Sequence, residues 1–371
     1  MKQQQPGSDE RPHVVADGAL PGISEALRDC ARVSLFNSRL PDRELTASAD
    51  ALLVRSLTPV NAQLLEGSPA RFVGTATSGI DHVDTEYLQR RGIAFADAHG
   101  CNANAVAEYV LFSICAHARK HDYDPAGRTL GIFGFGAVGS LLAAYALKLG
   151  MKVLINDPPL RDGGASFAPG CEYTEPDELC AESDVVSTHV PLTYEGAHST
   201  YRLIDAARLE LFRPNALLVH ASRGGVVDER ALLETLLTKQ LGMALDVWQY
   251  EPLAGVMLAR AAFPATPHIA GYTLDAKLEG SRMVTTALAR HFNLQPRMQA
   301  FDLPSNDIEL DMRKADDIYR VLDKSRRLAD DTQLFRQSLF ANDSRRADAF
   351  ERMRRQYTLR RESLRRPTPV D

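Results

Sequence analysis

The chain has 371 residues, of which 44% are hydrophobic and 25% charged, a composition typical of a folded protein with two or three domains. Its formal charge of −5 argues against a general nucleic-acid-binding surface, and no apolar run is long enough to cross a bilayer. Five cysteines without a CxxC pair indicate thiols in a reducing cytoplasm. The polar residues 1–12 predict a loose tail without a secretory signal.

From His13 onward, short apolar strands alternate with helical stretches. The first of the predicted helices covers Ile23–Cys30. The strands predicted in the first hundred residues are His13–Ala16, Val33–Phe36, Ala51–Val54 and Phe72–Gly74. No hairpin signal separates them, which favours parallel pairing in a doubly wound α/β sheet. Such sheets bind ligands at the carboxyl ends of their strands, where the polar loops Arg55–Thr58 and Thr75–Asp81 follow.

A long, largely buried helix is predicted over Ala103–Arg119, and Asp124–Gly127 then breaks the chain. A second α/β domain begins with the strand Thr129–Phe133 and continues to about Pro264. Its further predicted strands are Lys152–Asn156, Val185–His189, Ala216–His220 and Gly242–Val247.

The first strand of this second domain runs into a glycine-rich loop of the form GxGxxG, followed by a helix with one apolar face. Gly134 makes the tight turn, Gly136 lets a pyrophosphate approach the backbone, and Gly139 lets the helix pack closely on the strand. The N–H groups at the start of the helix would hold the pyrophosphate.

The next strand ends in Asp157, whose carboxylate can accept hydrogen bonds from the ribose hydroxyls of a dinucleotide. A carboxylate there repels the extra phosphate of NADP, so the sequence predicts NAD as the cofactor. The alternative is that Asp157 only caps the turn before Pro158 and Pro159.

Three further strand ends carry residues suited to hydride transfer from a 2-hydroxy acid. Arg223 precedes two glycines and can bind a carboxylate with its planar fork. His268 follows a proline and has the chemistry of a base for the hydroxyl proton. Glu251 is the candidate acid that orients the histidine, while Asp246 is expected in the nicotinamide pocket.

These segments resemble the NAD-dependent D-isomer-specific 2-hydroxyacid dehydrogenases over about residues 13–295. The motifs that carry the resemblance are the glycine loop with Asp157, His189–Thr193, Ser222–Gly225, Asp246–Pro252, Pro267–Thr273, Val54–Ser56, Gly74–Asp84 and Gly100–Ala103. The resemblance implies oxidation of 4-phospho-D-erythronate to 3-hydroxy-2-oxo-4-phosphooxybutanoate, a step of pyridoxal phosphate biosynthesis.

The resemblance also implies roles for individual residues. Arg223 and Glu251 would be catalytic, and His268 would transfer the proton. The cofactor contacts would be Asp157, Val190, Ser222, Asp246 and Gly271, and the substrate contacts Ser56, Thr77 and Tyr272. A substrate phosphate needs a cation or several N–H donors, and Arg55 is the best candidate, together with the loop Thr75–Gly79.

The fold expected from this organisation is a flavodoxin-like substrate domain and a Rossmann NAD domain around a cleft that closes over the reaction. The boundaries are 13–102 and 265–300 for the substrate domain, 103–264 for the NAD domain and 301–371 for a C-terminal α+β module. The resemblance assigns this module to dimerisation, so a homodimer is expected. Its basic helix carries an apolar stripe, Phe350, Met353 and Tyr357, which favours docking on protein over nucleic-acid or membrane contact.

Two alternatives remain at this point. The same chemistry can act on another acid, such as 3-phosphoglycerate, glycerate or hydroxypyruvate. A binding protein that senses NAD without useful turnover is an alternative of another class. The histidines show no ligand spacing with cysteine or acidic partners, so no metal site is predicted.

Overall fold

The computed structural model describes residues 11–306, 308 and 310–366. The predicted N-terminal tail therefore lies, up to residue 10, outside the described residues. The chain divides into two units by its internal contacts. The first extends to Asn102 and includes Thr273–Ser305, and the second comprises Ala103–Tyr272 and the chain from Asn306 onward.

A five-stranded parallel sheet forms the centre of the first unit, in the order β2-β1-β3-β4-β5. Its strands are β1 (His13–Asp17), β2 (Arg32–Phe36), β3 (Ala51–Val54), β4 (Phe72–Thr75) and β5 (Ala94–Asp97), and the helices between them are α1 (Ile23–Leu27), α2 (Arg43–Ala47), α3 (Ala62–Leu65) and α4 (Thr85–Arg90). This is the strand order of flavodoxin-like sheets, as predicted. The sequence did not predict β5, because its four residues are only half-buried and form no fully apolar run.

Both faces of this sheet are covered by apolar clusters. Val14 and Val15 are adjacent in β1 and belong to different clusters, because successive strand residues point to opposite faces. A strand buried on both faces is therefore continuously apolar, which is why the pattern of the sequence is typical of a parallel sheet.

The second unit has a six-stranded parallel sheet in the order β11-β10-β9-β6-β7-β8. Its strands are β6 (Thr129–Phe133), β7 (Lys152–Asn156), β8 (Cys171–Tyr173), β9 (Val185–Thr188), β10 (Leu217–His220) and β11 (Gly242–Leu245), and its helices up to Tyr272 are α5 (Ala103–His121), α6 (Ala137–Lys148), α7 (Pro158–Asp162), α8 (Pro176–Glu182), α9 (Ala206–Leu211), α10 (Glu229–Thr238) and α11 (Val256–Ala261). The order is that of a dinucleotide-binding Rossmann fold, which confirms the predicted fold class.

The predicted long helix is α5, and every residue from Ala103 to Ala118 is buried. A helix buried on every side must be covered by other parts of the fold on every side. Part of its cover comes from the C-terminal segment, whose Ile318, Leu322 and Leu328 join the same core cluster.

The chain returns to the first unit at Thr273, beyond the predicted boundary at residue 265. Residues 265–272 stay with β11, because Ala265 pairs with Leu245 and the His268 N–H donates to the Asp246 carbonyl. Helix α12 (Leu274–Phe292) then packs in the first unit, where its Val284 side chain closely approaches β4 at Gly74. A short 3-10 helix (Met298–Phe301) ends this return.

Three helices make up the described C-terminal segment: α13 (Ala315–Arg326), α14 (Leu328–Ser338) and α15 (Asp343–Arg355). Phe350 and Met353, two residues of the predicted apolar stripe, pack in a cluster with the second unit. The sequence favoured a mixed α+β module, whereas the described residues from 306 to 366 contain helices and no named strand. Their alternation of charged residues with apolar residues three and four apart explains the helical outcome.

Among residues 11–306, 308 and 310–366, no helix has both the length and the hydropathy of a membrane span. The same residues contain no group of three His, Cys, Asp or Glu side chains that could hold a metal ion. All five cysteines lie in this part of the chain, and none forms a disulfide.

Candidate active site

The glycine loop between β6 and α6 has the geometry that the sequence predicts. Gly134 has φ 89°, and a Cβ there would lie 2.6 Å from the carbonyl oxygen of His189. A Cβ on Gly139 would lie 2.0 Å from the Gly134 oxygen, so the helix and the loop touch. At Gly136 the same position has no neighbour within 4 Å. The loop is therefore closed where it packs and open where a pyrophosphate would approach the start of the helix.

Asp157 follows β7 and bonds to this loop. One carboxylate oxygen accepts the Phe135 N–H at 2.7 Å, and the other accepts the Leu160 N–H at 3.1 Å. The second bond caps α7, so the capping role considered above is present. The first bond holds the carboxylate beside the glycine loop.

The carboxyl ends of β9 and β10 lie side by side next to the glycine loop. Val190 comes within 2.9 Å of a Cβ built on Gly134. The Thr188 hydroxyl is 2.8 Å from Nδ1 of His220 and 3.1 Å from the Ser222 hydroxyl. Burial lowers the pKa of His220 to about 3, so this ring stays neutral at pH 7 and has a structural role.

Arg223 stands directly after this buried edge. Its neighbour Gly224 packs against the backbone of Trp248, and a Cβ at Gly224 would lie 1.9 Å from the Trp248 oxygen. The Trp248 N–H in turn donates to a Glu251 carboxylate oxygen at 3.0 Å. Arg223 is thus next to the backbone that positions Glu251, and only glycine fits at the contact.

Glu251 and His268 form a direct pair. Nδ1 of His268 lies 2.9 Å from the second carboxylate oxygen of Glu251, and the two side chains are 29% and 24% exposed. Burial raises the pKa of Glu251, but the attraction of His268 and the hydrogen bonds from His268 and Trp248 outweigh it, so the pKa falls below its ordinary value. The acid is ionised at neutral pH and directs Nε2 of the histidine away from itself.

The turn that carries His268 is held by Asp246. The carboxylate of Asp246 accepts bonds from the Thr266 hydroxyl and from the N–H groups of Ile269 and Ala270, at 2.6, 2.7 and 2.9 Å. His268 itself has φ 57°, a left-handed conformation that costs about 1–3 kcal/mol for a non-glycine residue. Such strain persists only where surrounding contacts fix the backbone, and Asp246 supplies three of them.

Comparisons with known proteins agree with this geometry. The model of the D-isomer specific 2-hydroxyacid dehydrogenase NAD binding domain matches residues 103–270, which contain the glycine loop and His268. A protein of Azotobacter vinelandii named erythronate-4-phosphate dehydrogenase is 43% identical over 87% of this chain and 87% of its own length. The chain belongs to the erythronate-4-phosphate dehydrogenase family.

Other members of the erythronate-4-phosphate dehydrogenase family extend the match. The one from Pseudomonas aeruginosa strain PAO1 is 39% identical over 94% of this chain and 93% of its own length. Among solved structures, the D-lactate dehydrogenase of Aquifex aeolicus with NAD and lactic acid is 27% identical, with a TM-score of 0.55, over 76% of this chain and 95% of its own. The sequence relatives therefore cover parts of this chain that the lactate enzyme does not.

In this erythronate-4-phosphate dehydrogenase family member, Gly271 and Tyr272 complete the histidine turn. The Tyr272 N–H donates to the Ile269 carbonyl at 2.8 Å, which closes the turn on itself. Apart from Gly139 in the first turn of α6, the predicted catalytic and cofactor residues therefore lie at the carboxyl edge of one sheet or in the loops bonded to it.

The remaining predicted substrate residues lie in the first unit, after β3 and β4. Nε of Arg55 donates to Asp17 at 2.9 Å, and the Asp17 side chain is only 3% exposed. Ser56 is exposed. The Thr77 hydroxyl is 2.8 Å from that of Thr75 and donates to the Gly79 carbonyl at 2.9 Å. Since β3 and β4 are adjacent and parallel, these loops share one edge of their sheet.

Sequence reasoning missed several residues that build the site. Glu229 accepts the Gln249 N–H at 2.7 Å and so supports the loop before Glu251. Arg326 and Arg354 come from the C-terminal segment and bond to the histidine turn. No local motif marks these residues. The available signal for Glu229 is its place at the start of α10, directly after the Ser222–Gly225 motif.

Proposed function

We propose that this enzyme oxidises 4-phospho-D-erythronate at C2 with NAD, giving 3-hydroxy-2-oxo-4-phosphooxybutanoate for pyridoxal phosphate biosynthesis. The observation that carries the chemistry is the Glu251–His268 pair, with Gly224, the neighbour of Arg223, packed on the Trp248 backbone that bonds to Glu251. The names of the 39–43% identical relatives support the choice of substrate.

In the proposed reaction, His268 accepts the proton of the C2 hydroxyl through Nε2, because Nδ1 is engaged by Glu251. Arg223 binds the carboxylate and the carbonyl that develops at C2. NAD, when bound, accepts the hydride from C2. The products are the 2-oxo acid, NADH and a protonated His268, so the two electrons and the proton are accounted for.

Glu251 has two tasks in this proposal. Its carboxylate fixes the tautomer of His268 that leaves Nε2 as an acceptor, and it stabilises the imidazolium that forms. The lowered pKa of Glu251 means that the carboxylate carries its charge throughout the neutral range.

The cofactor is proposed to lie along the edge formed by the glycine loop and the strand ends. Gly134, Gly136 and Gly139 shape the pyrophosphate site, and Asp157 binds the ribose and selects NAD over NADP. The other proposed contacts are Val190, Ser222, Asp246 and Gly271. Asp246 holds the turn of His268 by its hydrogen bonds, and in this proposal it contributes to the nicotinamide site by fixing that turn.

The substrate is proposed to be bound by Ser56, Thr77 and Tyr272, with Arg55 as the cation for the phosphate. Asp17 is bonded to Nε of Arg55 and orients the guanidinium. If Arg55→Ala leaves the KM for the phosphorylated acid unchanged, Arg55 is not the anchor.

We also propose that the enzyme is a homodimer in the cytoplasm. Leu334 and Phe340, in the C-terminal segment, are large apolar side chains that are 55% and 76% exposed, and a dimer contact there would cover them. Light scattering during gel filtration tests this: a monomer at micromolar concentration would refute the dimer.

The proposed substrate is tested with a panel of acids, following NADH by its absorbance. We expect 4-phospho-D-erythronate to be turned over with the highest kcat/KM, ahead of 3-phosphoglycerate, glycerate and the reverse reaction with hydroxypyruvate. Turnover of another acid alone would reject the substrate but keep the chemistry. Binding of NAD without oxidation of any acid would reject the enzyme in favour of a binding protein.

A further inference from the structure

The C-terminal segment contacts the turn His268–Tyr272 at two points. Arg326, the last residue of α13, donates from Nη2 to the Ala270 carbonyl at 2.8 Å. Arg354, near the end of α15, donates from Nη2 to the Tyr272 hydroxyl at 3.3 Å. One arginine therefore bonds to the backbone in the middle of the turn, and the other to the side chain at its end.

Arg326 is held in a fixed direction by its buried partners. Its side chain and that of Glu108 are both 0% exposed, and Nη1 donates to Glu108 at 3.0 Å and to the Ala105 carbonyl at 2.8 Å. A cation buried this deeply is tolerated only with good partners, and its planar guanidinium then fixes where the remaining N–H groups point. The Ala270 carbonyl receives one of them.

Besides the Tyr272 hydroxyl, Arg354 has the Glu351 carboxylate nearby, 3.8 Å from its Nη1. Its guanidinium carbon lies 5.9 Å from the ring centres of both Tyr272 and Phe350, and its side chain is 15% exposed. Among the described residues, Nε of Arg354 is buried without a hydrogen-bond partner, and so is Nε of Arg326. The hydrogen bond of Arg354 to the Tyr272 hydroxyl is made by Nη2.

The charge of Arg354 acts on the catalytic acid. Burial lowers the pKa of Arg354, but the attraction of Tyr272, Glu251 and Glu351 and the hydrogen bond to Tyr272 outweigh it, so the pKa lies above its ordinary value. The same attraction contributes to the lowered pKa of Glu251. Arg354 is therefore coupled to both ends of the site, the acid behind His268 and the tyrosine after it.

We propose that Arg354 is a positioning residue that orients Tyr272 for the substrate, and that Arg326 holds the backbone of the same turn. The C-terminal segment would then complete the active site of its own chain. This inference rests on the proposed function, in which Tyr272 binds the substrate.

The test compares Arg354→Met with Arg355→Met, which removes an exposed arginine from the next position of the same helix. In Arg354→Met we expect the KM for 4-phospho-D-erythronate to rise about tenfold, while kcat changes by less than about threefold. The Kd of NAD should not change in either variant, and Arg355→Met should match the wild type. Arg354→Lys keeps the charge, so its KM should lie much closer to the wild-type value than that of Arg354→Met.

Wild-type KM in Arg354→Met, or an equal rise in Arg355→Met, would overturn the proposal. If Arg354→Met does not fold, Tyr272→Phe is compared in the wild-type and Arg354→Gln backgrounds, since glutamine removes the charge. We expect a smaller effect on KM in the Arg354→Gln background, and equal effects would overturn the coupling. A wild-type enzyme inactive on 4-phospho-D-erythronate would instead reject the proposed function, so the two failures are distinguishable.

Discussion

Replacing Glu251 with glutamine tests how the Glu251 carboxylate orients His268 and stabilises its protonated form. In Glu251→Gln, the side-chain oxygen of the new amide can keep the bond from the Trp248 N–H, but its NH₂ group then faces Nδ1 of His268. An amide N–H donates to Nδ1, which places the ring proton on Nε2 and removes the acceptor for the substrate proton. The change alters the charge and the tautomer with little change in volume.

The size of the electrostatic effect follows from the geometry. The two groups are 2.9 Å apart at their nearest atoms, with their charge centres about 4 Å apart, and at an effective dielectric constant of about 20 this attraction is about 4 kcal/mol. Because both side chains are about a quarter exposed, we reduce it to about 3 kcal/mol, which is about 100-fold in rate. We therefore expect kcat to fall by at least about 100-fold, measured as initial NADH formation with both substrates saturating.

Glu229→Gln is the matched control. Glu229 is a neighbouring acid whose carboxylate accepts the Gln249 N–H, a bond that glutamine can keep. We expect its kcat to stay within about threefold of the wild type. A similar small change in Glu251→Gln would refute the role assigned to the pair.

Three further outcomes are expected. His268→Asn should abolish turnover while the Kd of NAD, measured by fluorescence titration, changes less than about threefold; retained turnover would contradict its role as the base. Asp157→Ala should raise the Kd of NAD about tenfold and reduce the preference for NAD over NADP. An unchanged Kd of NAD would show that Asp157 does not contact the cofactor. The His220 pKa of about 3 lies below its unfolded value of 6.5, so stability is lost as the pH falls below 6.5. At pH 5, His220 accounts for about 2 kcal/mol of the lost free energy of unfolding. Urea unfolding of His220→Gln should therefore show a loss of stability between pH 7 and pH 5 that is smaller by this amount.

The strands with continuous apolar residues could be predicted closely, and β6 and β7 have the predicted bounds. Both sheets are parallel because helices separate their strands, and that alternation is visible in the sequence. The strands β5 and β8 were not predicted. They lie at sheet edges and are half-buried or exposed, so hydrophobic patterning has little to detect there.

The site shows the same division. Glycine spacing predicted the loop, and the pairing of Glu251 with His268 was anticipated because a proton-accepting histidine needs a carboxylate that orients its ring. The contributions of Arg326 and Arg354 could not be predicted, because they act through tertiary contacts 56 and 82 residues away along the chain. The hydrogen bonds by which Asp246 holds the turn of His268 were also not predicted. An acid at the end of a strand can face a ligand or its own loop, and its position in the sequence does not distinguish the two.

The most direct measurement uses 4-phospho-D-erythronate deuterated at C2. Hydride transfer from C2 to NAD predicts that the NADH isolated after turnover carries the deuterium, as read by mass spectrometry. Unlabelled NADH, or consumption of the acid without reduction of NAD, would contradict the account.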